Sequence, residues 1–556
     1  MKTFYFDNLN MKSESFSVLQ KCAERVLKLR GCALVGQNAD YTISVAIDTA
    51  LTDDRYIISF KENGAEIKGA TDYCVFAAFG VLLTESKFDG RGDFSPAPCG
   101  KQIDFTPKKK VRCIYFASHF HNFYHMAPIE KVYEVLEDIA LYGCNCVRVW
   151  FDMHHYNSVE DADAQAMIKR LRQILKYANT IGMYGMLAGL SNEGFNSSPE
   201  HLRADWWKQG KYKRDIFHYH REICPSKPGG LEEILKEKRQ ALEPFKDLDI
   251  RYVGCGPYDQ GGCTCPECEP WGINGYLKIY PAFKEMLKEV MPNAKATLGM
   301  WKFNEFIDGE WEGFVPLLGT DLLKDVPFYA AYFPNGQLVP CLEESGMVGK
   351  VNFMEFSEIS MYSCKPWGGF GASVLTGYMK KVKEKSEHIF SGGIAYSEGI
   401  YEDANKFIIL SAYSGRYENP YDAIRDYVKT EFCCADEELY QAVIKTETGL
   451  ARTYDPTLPP PRRCVIHDTS DVEFVYNTFQ KYNKILPENI TKSRKFRLFY
   501  LRAVIDYALM HNDFYVKGSE ECIKAMQEVD DIYYVCDETS GSVRTPLDRE
   551  TYTELF

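Results

Sequence analysis

The chain has 556 residues, 45% apolar and 26% charged, with a net charge of −13. That length exceeds one ordinary domain and points to about three, in a composition typical of globular proteins. The acid excess argues against a nucleic-acid partner, because a phosphate backbone needs clustered cations, and the two basic runs, 108–110 and 492–497, read as solvated surface.

The first residues, MKTFYFDNLNMKSES, contain no apolar h-region, so no signal peptide is expected. No apolar run reaches ~18 residues, so no membrane span is expected either. The nineteen cysteines then read as reduced thiols of a cytoplasmic protein, not as a disulfide framework. Within 1–106, the runs 41–47 and 56–60 are strand-like and 71–86 is helix-like, which predicts a small α/β domain. Phe105-Thr106-Pro107 and the lysines after it interrupt the pattern and mark a linker.

A different rhythm starts at Val111. Eight short apolar runs follow, at 111–117, 146–151, 184–190, 251–256, 296–302, 327–333, 351–356 and 393–396. Helical patterns such as 128–142, 164–181, 231–242 and 275–290 lie between them. Strands alternating with helices make parallel sheets, and eight such units over 107–419 predict an α/β fold of the (β/α)8 TIM-barrel type. The competing doubly wound sheet would usually carry a Gly-rich phosphate turn after an early strand, and none is present. From 420 to 556 the periodicity is helical, at 421–432, 437–446, 472–486, 493–510 and 517–529, with the four-proline loop 455–463 between two groups. This predicts a helical C-terminal domain, a candidate surface for self-association into a homo-oligomer. No internal repeat is visible.

In a barrel, chemistry collects at the C-terminal ends of the strands. Those ends carry His119 and His121; Asp152, His154 and His155; Asn192 and Glu193; Tyr258, Asp259 and Gln260; Trp301, Asn304 and Glu305; Glu355 and Glu358; then Tyr396, Glu398, Glu402 and Asp403. Carboxylic acids and aromatics on one rim suit glycoside hydrolysis, in which one acid protonates the leaving oxygen and a second carboxylate attacks or activates water. The candidate catalytic residues are Asp259, Glu355 and Glu398; the candidate substrate contacts are His154, Tyr258, Gln260, Trp301, Trp367 and Tyr396. Each has a bland counterpart. Asp259 would brace the cysteine loop or cap a helix, Glu398 would cap a helix, and the histidines would be ordinary loop residues. Glu355 and Glu358 cannot both face inward on an unbroken strand. The 14% aromatic content fits sugar stacking, though an aromatic core explains most of it.

Cys263, Cys265 and Cys268 offer three thiolates within six residues. Structural zinc takes four sulfur or nitrogen ligands. Cys224, in the loop after the third strand, is the expected fourth, with Cys255 as the alternative; the bland counterpart is a group of buried free thiols.

The layout resembles the broad group of glycoside hydrolases that holds the β-hexosaminidases and the bacterial α-glucuronidases. The segment 67–83, IKGATDYCVFAAFGVLL, resembles their non-catalytic N-terminal domain. Tyr258-Asp259-Gln260-Gly261-Gly262-Cys263, Pro366-Trp367-Gly368-Gly369-Phe370-Gly371 and the run from Tyr396 to Asp403 look like segments of bacterial members of the group. The resemblance implies a carbohydrate substrate containing an amino sugar or a uronic acid. It departs at one position: the β-hexosaminidases carry adjacent Asp-Glu at the end of strand four, and here Gln260 follows Asp259. An amide cannot act as a general acid, so either the acid comes from another strand or the barrel binds sugar without turnover.

Overall fold

The computed structural model describes the chain apart from residues 119–121, 206–220, 258–260, 306, 332–336, 360–370, 450, 455–463, 515, 517 and 534–556. Eight parallel strands close a barrel in chain order: Val111–Phe116, Cys146–Trp150, Tyr184–Ala188, Ile250–Cys255, Lys295–Gly299, Tyr329–Ala331, Phe353–Glu358 and Phe390–Ser397. The eighth pairs with the first from Gly392–Val111 to Ser397–Phe116, which closes the ring. These are the eight runs expected from the apolar spacing. Their continuous apolar character has a physical cause: a parallel strand in a barrel is covered on both faces. All six residues of the first strand are buried. Val111, Cys113, Tyr115 and Ala117 point into the barrel, while Ile114 and Phe116 join the layer under the helices. Helices Ile129–Leu141, Ala162–Ile181, Gly230–Leu242 and Gly275–Val290 lie where the 3.6-residue period placed them. Among the described residues, the connections after strands five and six hold the five-residue helices Glu310–Phe314 and Pro340–Glu344 and the short 3-10 turn Val315–Leu317, all too short to show a period.

Ahead of the barrel, a six-stranded mixed sheet has the order Ala33–Leu34, Thr3–Asn8, Tyr41–Ile47, Gly64–Gly69, Tyr56–Lys61, Gln102–Phe105. The sequence pattern named two of these strands. The others are short, and Thr3–Asn8 shows its alternation only through Phe4 and Phe6. Helix Asp72–Glu85 is buried along almost its whole circumference, because it is wedged between this sheet and the barrel helix Ile129–Leu141. Gly80 permits that approach: a Cβ there would lie 2.0 Å from the Leu141 carbonyl oxygen.

After the barrel come helices Pro420–Glu431, Glu437–Lys445, Val472–Ile485, Arg494–Met510 and Glu520–Tyr533. A buried ionic cluster joins the three regions. Asp138 on a barrel helix accepts from Arg25 of the N-terminal region at 2.8 Å. It also lies 3.3 Å from Lys495 of the C-terminal helices, whose ammonium reaches Glu431 at 2.9 Å. Among the described residues, no helix is long and apolar enough to cross a membrane.

Candidate functional site

The alternation of strand seven decides which glutamate faces the barrel. Met354 and Phe356 belong to the interior, so Glu358 points the same way, and Glu355 points outward. The Tyr413 hydroxyl, on the outer helix Asp403–Ser414, donates to Glu355 at 3.1 Å, and Lys109 lines the same small cavity. Burial raises the Glu355 carboxyl above its ordinary range, against the lowering by Ser357, Tyr413 and Lys109. The sequence reading placed Glu355 among the rim carboxylates; the structure places it in the layer between barrel and helices, apart from Glu398.

Strand eight continues the inner face. Ile394 and Tyr396 point into the barrel, and Glu398 follows them by alternation. Tyr396 Oη donates to Glu398 Oε1 at 3.1 Å. Burial pushes the Glu398 carboxyl up to about 8, helped by the charges of Glu402 and Glu358 and opposed by the Tyr396 hydrogen bond. Glu358 is the register partner of Tyr396, so the two inward carboxyls flank one tyrosine. The loop after Glu398 is held from below and behind. Glu402 accepts from Ser397 Oγ at 2.6 Å and from the Gly399 amide at 2.8 Å. Lys406, fully buried, lies 3.7 Å from Glu402. From the C-terminal region, Tyr533 Oη donates to the Glu398 carbonyl at 2.6 Å. Asp403, also on the rim in the sequence reading, instead starts the outer helix, where it accepts from Tyr142 and Tyr427 at 3.0 and 2.8 Å.

Aromatic rings line the mouth beside these carboxyls. Tyr396 meets Tyr115 edge-on at 5.5 Å and Phe356 at 6.0 Å, and Phe356 in turn meets Trp301 at 5.4 Å. Trp301 and Tyr396 thus lie in one cluster with Glu398. Strands four and five contribute mostly bare backbone near the rim, since Gly254, Gly256 and Gly299 fall on the inner face with Tyr252 and Thr297, while Leu298 faces outward.

Strands two and three supply a second polar group. His154 is buried, and its Nδ1 lies 2.7 Å from Glu193, which also accepts from Trp150 Nε1 at 3.3 Å. Burial disfavours the imidazolium of His154, but the Glu193 hydrogen bond and the charges of Glu193, Asp152 and Glu222 outweigh it and raise the pKa. His155, more exposed, bonds through Nδ1 to buried Asp152. Asp152 is raised by burial and lowered by that histidine. Tyr258, Asp259, Gln260 and Trp367, like His119 and His121, lie outside the described residues.

The four cysteines come together. The Sγ atoms of Cys224, Cys263, Cys265 and Cys268 all lie within 4.8 Å of one another, and all four residues are buried. Cys224 lies 3.8 Å from both Cys265 and Cys268. A tetrahedron of Zn–S bonds of about 2.3 Å has edges of about 3.8 Å, so the donor set and its size fit a four-coordinate metal. Cys255 lies outside the group. Backbone amides of Asp205 and Cys265 point at Cys263 Sγ at 3.3 and 3.5 Å, as amides do around metal thiolates. The knot ties the loop after strand three to the loop after strand four. Trp271 packs so closely under the second loop that a Cβ on Gly262 would lie 2.1 Å from its ring.

Sequence reading passed over Arg148 and Tyr533. Arg148 sits mid-strand, where spacing marks it as barrel lining and nothing more. Tyr533 reaches the rim from more than a hundred residues away in sequence, a contact no local signal carries.

No protein-family model matches the chain, and no curated protein matches it. Solved structures do. A family 115 4-O-methyl-α-glucuronidase with specificity for decorated arabinogalactans superposes with a TM-score of 0.61 at 9% identity, over 96% of this chain and 76% of that one. A family 89 glycoside hydrolase from Clostridium perfringens, solved with PUGNAc, gives 0.59 at 12%, over 94% of this chain and 65% of that one. A family 20 exo-β-N-acetylglucosaminidase from Vibrio harveyi, solved with N-acetylglucosamine, gives 0.50 at 13%, over 79% and 74%. The chain spans about two-thirds of the family 89 protein. At these identities the likeness is one of fold: a TIM barrel with an N-terminal sheet and a helical C-terminal region, as in the glycoside hydrolase group that the sequence resembles.

Proposed function

We propose that this chain is a glycoside hydrolase, exo-acting on oligosaccharides that carry an amino sugar or a uronic acid. The observation that carries this is Glu398: a carboxyl held protonated near neutral pH, at the mouth of a barrel, inside an aromatic cluster. A general acid works best with a pKa near the operating pH, and Glu398 meets that condition. Its partner carboxylate is Glu358, which shares the inner face, or Asp259 at the end of strand four; Glu355 is set aside because it faces the helices. Trp301 and Tyr396, with Trp367, form the sugar platform, and His154, Tyr258 and Gln260 contact the glycone. Turnover of a panel of nitrophenyl glycosides tests this, with Glu398→Gln as control. Turnover that is unchanged in Glu398→Gln would refute the assignment.

The second reading is a sugar-binding barrel without turnover, favoured by Gln260 standing where hexosaminidases carry their acid. Binding of sugars with no turnover across the panel would select it.

Cys224, Cys263, Cys265 and Cys268 hold one structural zinc in this proposal, supported by the fit of their spacing to a tetrahedral sulfur site. The metal would cross-link two rim loops and would take no part in proton transfer. Metal analysis of protein purified without added zinc should find about one zinc per chain; metal-free protein of full stability would refute it. A cytoplasmic location completes the proposal, in line with the many reduced thiols.

A further inference from the structure

Among the described residues, several buried cations are matched to acids, and an arginine inside the barrel is not. Arg112 has Asp54 at 2.7 Å, Arg502 has Asp506 at 2.7 Å, Arg30 has Glu431 at 3.4 Å and Lys406 has Glu402 at 3.7 Å. Arg148, on strand two, has no ion pair among the described residues, and its buried Nε has no hydrogen-bond partner. It lies between inward Cys146 and Trp150, so it projects into the barrel, and part of its surface stays accessible there. Among the described residues, two π faces, the thiols of Cys113 and Cys146 and the bare backbone of Gly254 lie around the guanidinium. Its Cζ lies 5.0 Å from the Tyr115 ring centre and 5.9 Å from that of Phe356. A Cβ on Gly254 would sit 3.4 Å from Nη2. Burial alone lowers its pKa, and the groups that oppose this are Tyr115, Cys113 and Cys146; neither Glu358 nor Glu398 is among them.

An unpaired guanidinium in a partly desolvated site is costly. Cation–π contacts with Tyr115 and Phe356 recover part of that cost. A planar fork of N–H donors is matched best by a carboxylate, which it can hold in two parallel hydrogen bonds. The same two rings also touch the site: Phe356 and Tyr115 both pack on Tyr396, which bonds Glu398. Gly254, Gly256 and Gly299 present bare backbone on the inner face of strands four and five, and Gly254 lies against the guanidinium.

We infer that Arg148 receives the carboxylate of an anionic sugar, so that the substrate class of this site is a uronide and not a neutral amino sugar. The inference rests on the glycosidase reading and narrows it. The alternative is that Arg148 donates to hydroxyls of a neutral sugar, in which case no preference for an acid sugar would follow.

Calorimetric titration of the full chain with D-glucuronate and D-galacturonate, against D-glucose and N-acetyl-D-glucosamine, decides between them. At least one uronate should bind at least about tenfold more tightly than its neutral counterpart, as expected for hydrogen bonds to a charged group. The preference should shrink with added salt and collapse in Arg148→Gln. Should that variant fail to fold, the wild-type selectivity and its salt dependence still decide. Equal or tighter binding of the neutral sugars overturns the inference. Nitrophenyl glycoside turnover, measured in parallel, separates the two levels. Turnover of neutral glycosides without uronate preference sinks the Arg148 assignment and leaves a hydrolase. Uronate selectivity without any turnover keeps Arg148 and sinks the hydrolase. Absence of both binding and turnover overturns both.

Discussion

The two sides of the barrel mouth are held by different means. Around strands seven and eight, the Glu398 loop rests on packed secondary structure: Glu402 and Lys406 beneath it, Tyr533 of the last described helix behind it. Around strands three and four, the described residues of the connecting loops carry little regular structure near the rim. There, two isolated bridges, Glu193–Glu222 and Arg203–Ile223, and four converging cysteines hold the chain. A wall backed by helices draws its rigidity from apolar burial. A wall made of loops has buried side chains such as Ile223 and Trp271 but, among its described residues, no α-helix to order its backbone, and a cross-link offsets that ordering cost of about 1–2 kcal/mol per residue.

Removing the cross-link is therefore expected to have the largest effect. Cys224→Ser should lower bound zinc from about one per chain to a small fraction and cost stability on the order of several kcal/mol, since metal binding energy is folding energy. If metal content and melting temperature both match wild type, the two walls do not differ as described. The packed wall should respond in activity instead. Glu398→Gln should lower turnover by about 10²-fold or more without lowering the melting temperature.

The pH dependence follows from the same group. Only the protonated carboxyl can donate, so wild-type turnover should fall as pH rises through about 8. The folded-state value lies above the ordinary glutamate range, so the stability linked to this proton is present at low pH and lost as pH rises through about 8. Glu398→Gln should accordingly gain stability relative to wild type on the alkaline side. A wild-type profile flat from pH 6 to 10 would remove Glu398 from the role of acid.

Strand seven offers an internal control. Glu358→Gln should reduce turnover by about tenfold or more, while Glu355→Gln, on the outer face, should leave kcat nearly unchanged and act on stability through Tyr413. The reverse pattern would show that the strand presents its other face in the working enzyme. The smallest effect is expected from Tyr533→Phe, which removes one hydrogen bond to the Glu398 carbonyl, worth about 0.5–1.5 kcal/mol. Its signature would be a modest drop in kcat with KM little changed.

Much of the barrel was legible because its strands are buried on both faces and its longer helices on one, so period and length both show in the residues. Helix Gly275–Val290 and strand Tyr41–Ile47 fall on the expected boundaries. The site was legible in part. Glu398, Tyr396 and Trp301 could be placed on the rim from their positions at strand ends, and they share one aromatic cluster. Glu355 could not be told from Glu358, because which parity faces inward depends on how strand seven sits between its neighbours. Arg148 was invisible for a different reason: an arginine in a strand gives no hint of whether an acid waits across the barrel.

By itself, then, the sequence determined the alternation of strands and helices, the gathering of polar residues at strand ends and the cysteine spacing, all set by short-range periodicity and by the reach of a few residues. Tertiary structure alone decided which carboxyls meet, that Cys224 and not Cys255 closes the sulfur group, that Tyr533 comes from far along the chain to back Glu398, and that Arg148 has no ion pair among the described residues. Those depend on barrel closure and on burial. Closure fixes the facing of each strand through its pairing with two neighbours, and burial turns an ordinary glutamate into one that keeps its proton near neutrality.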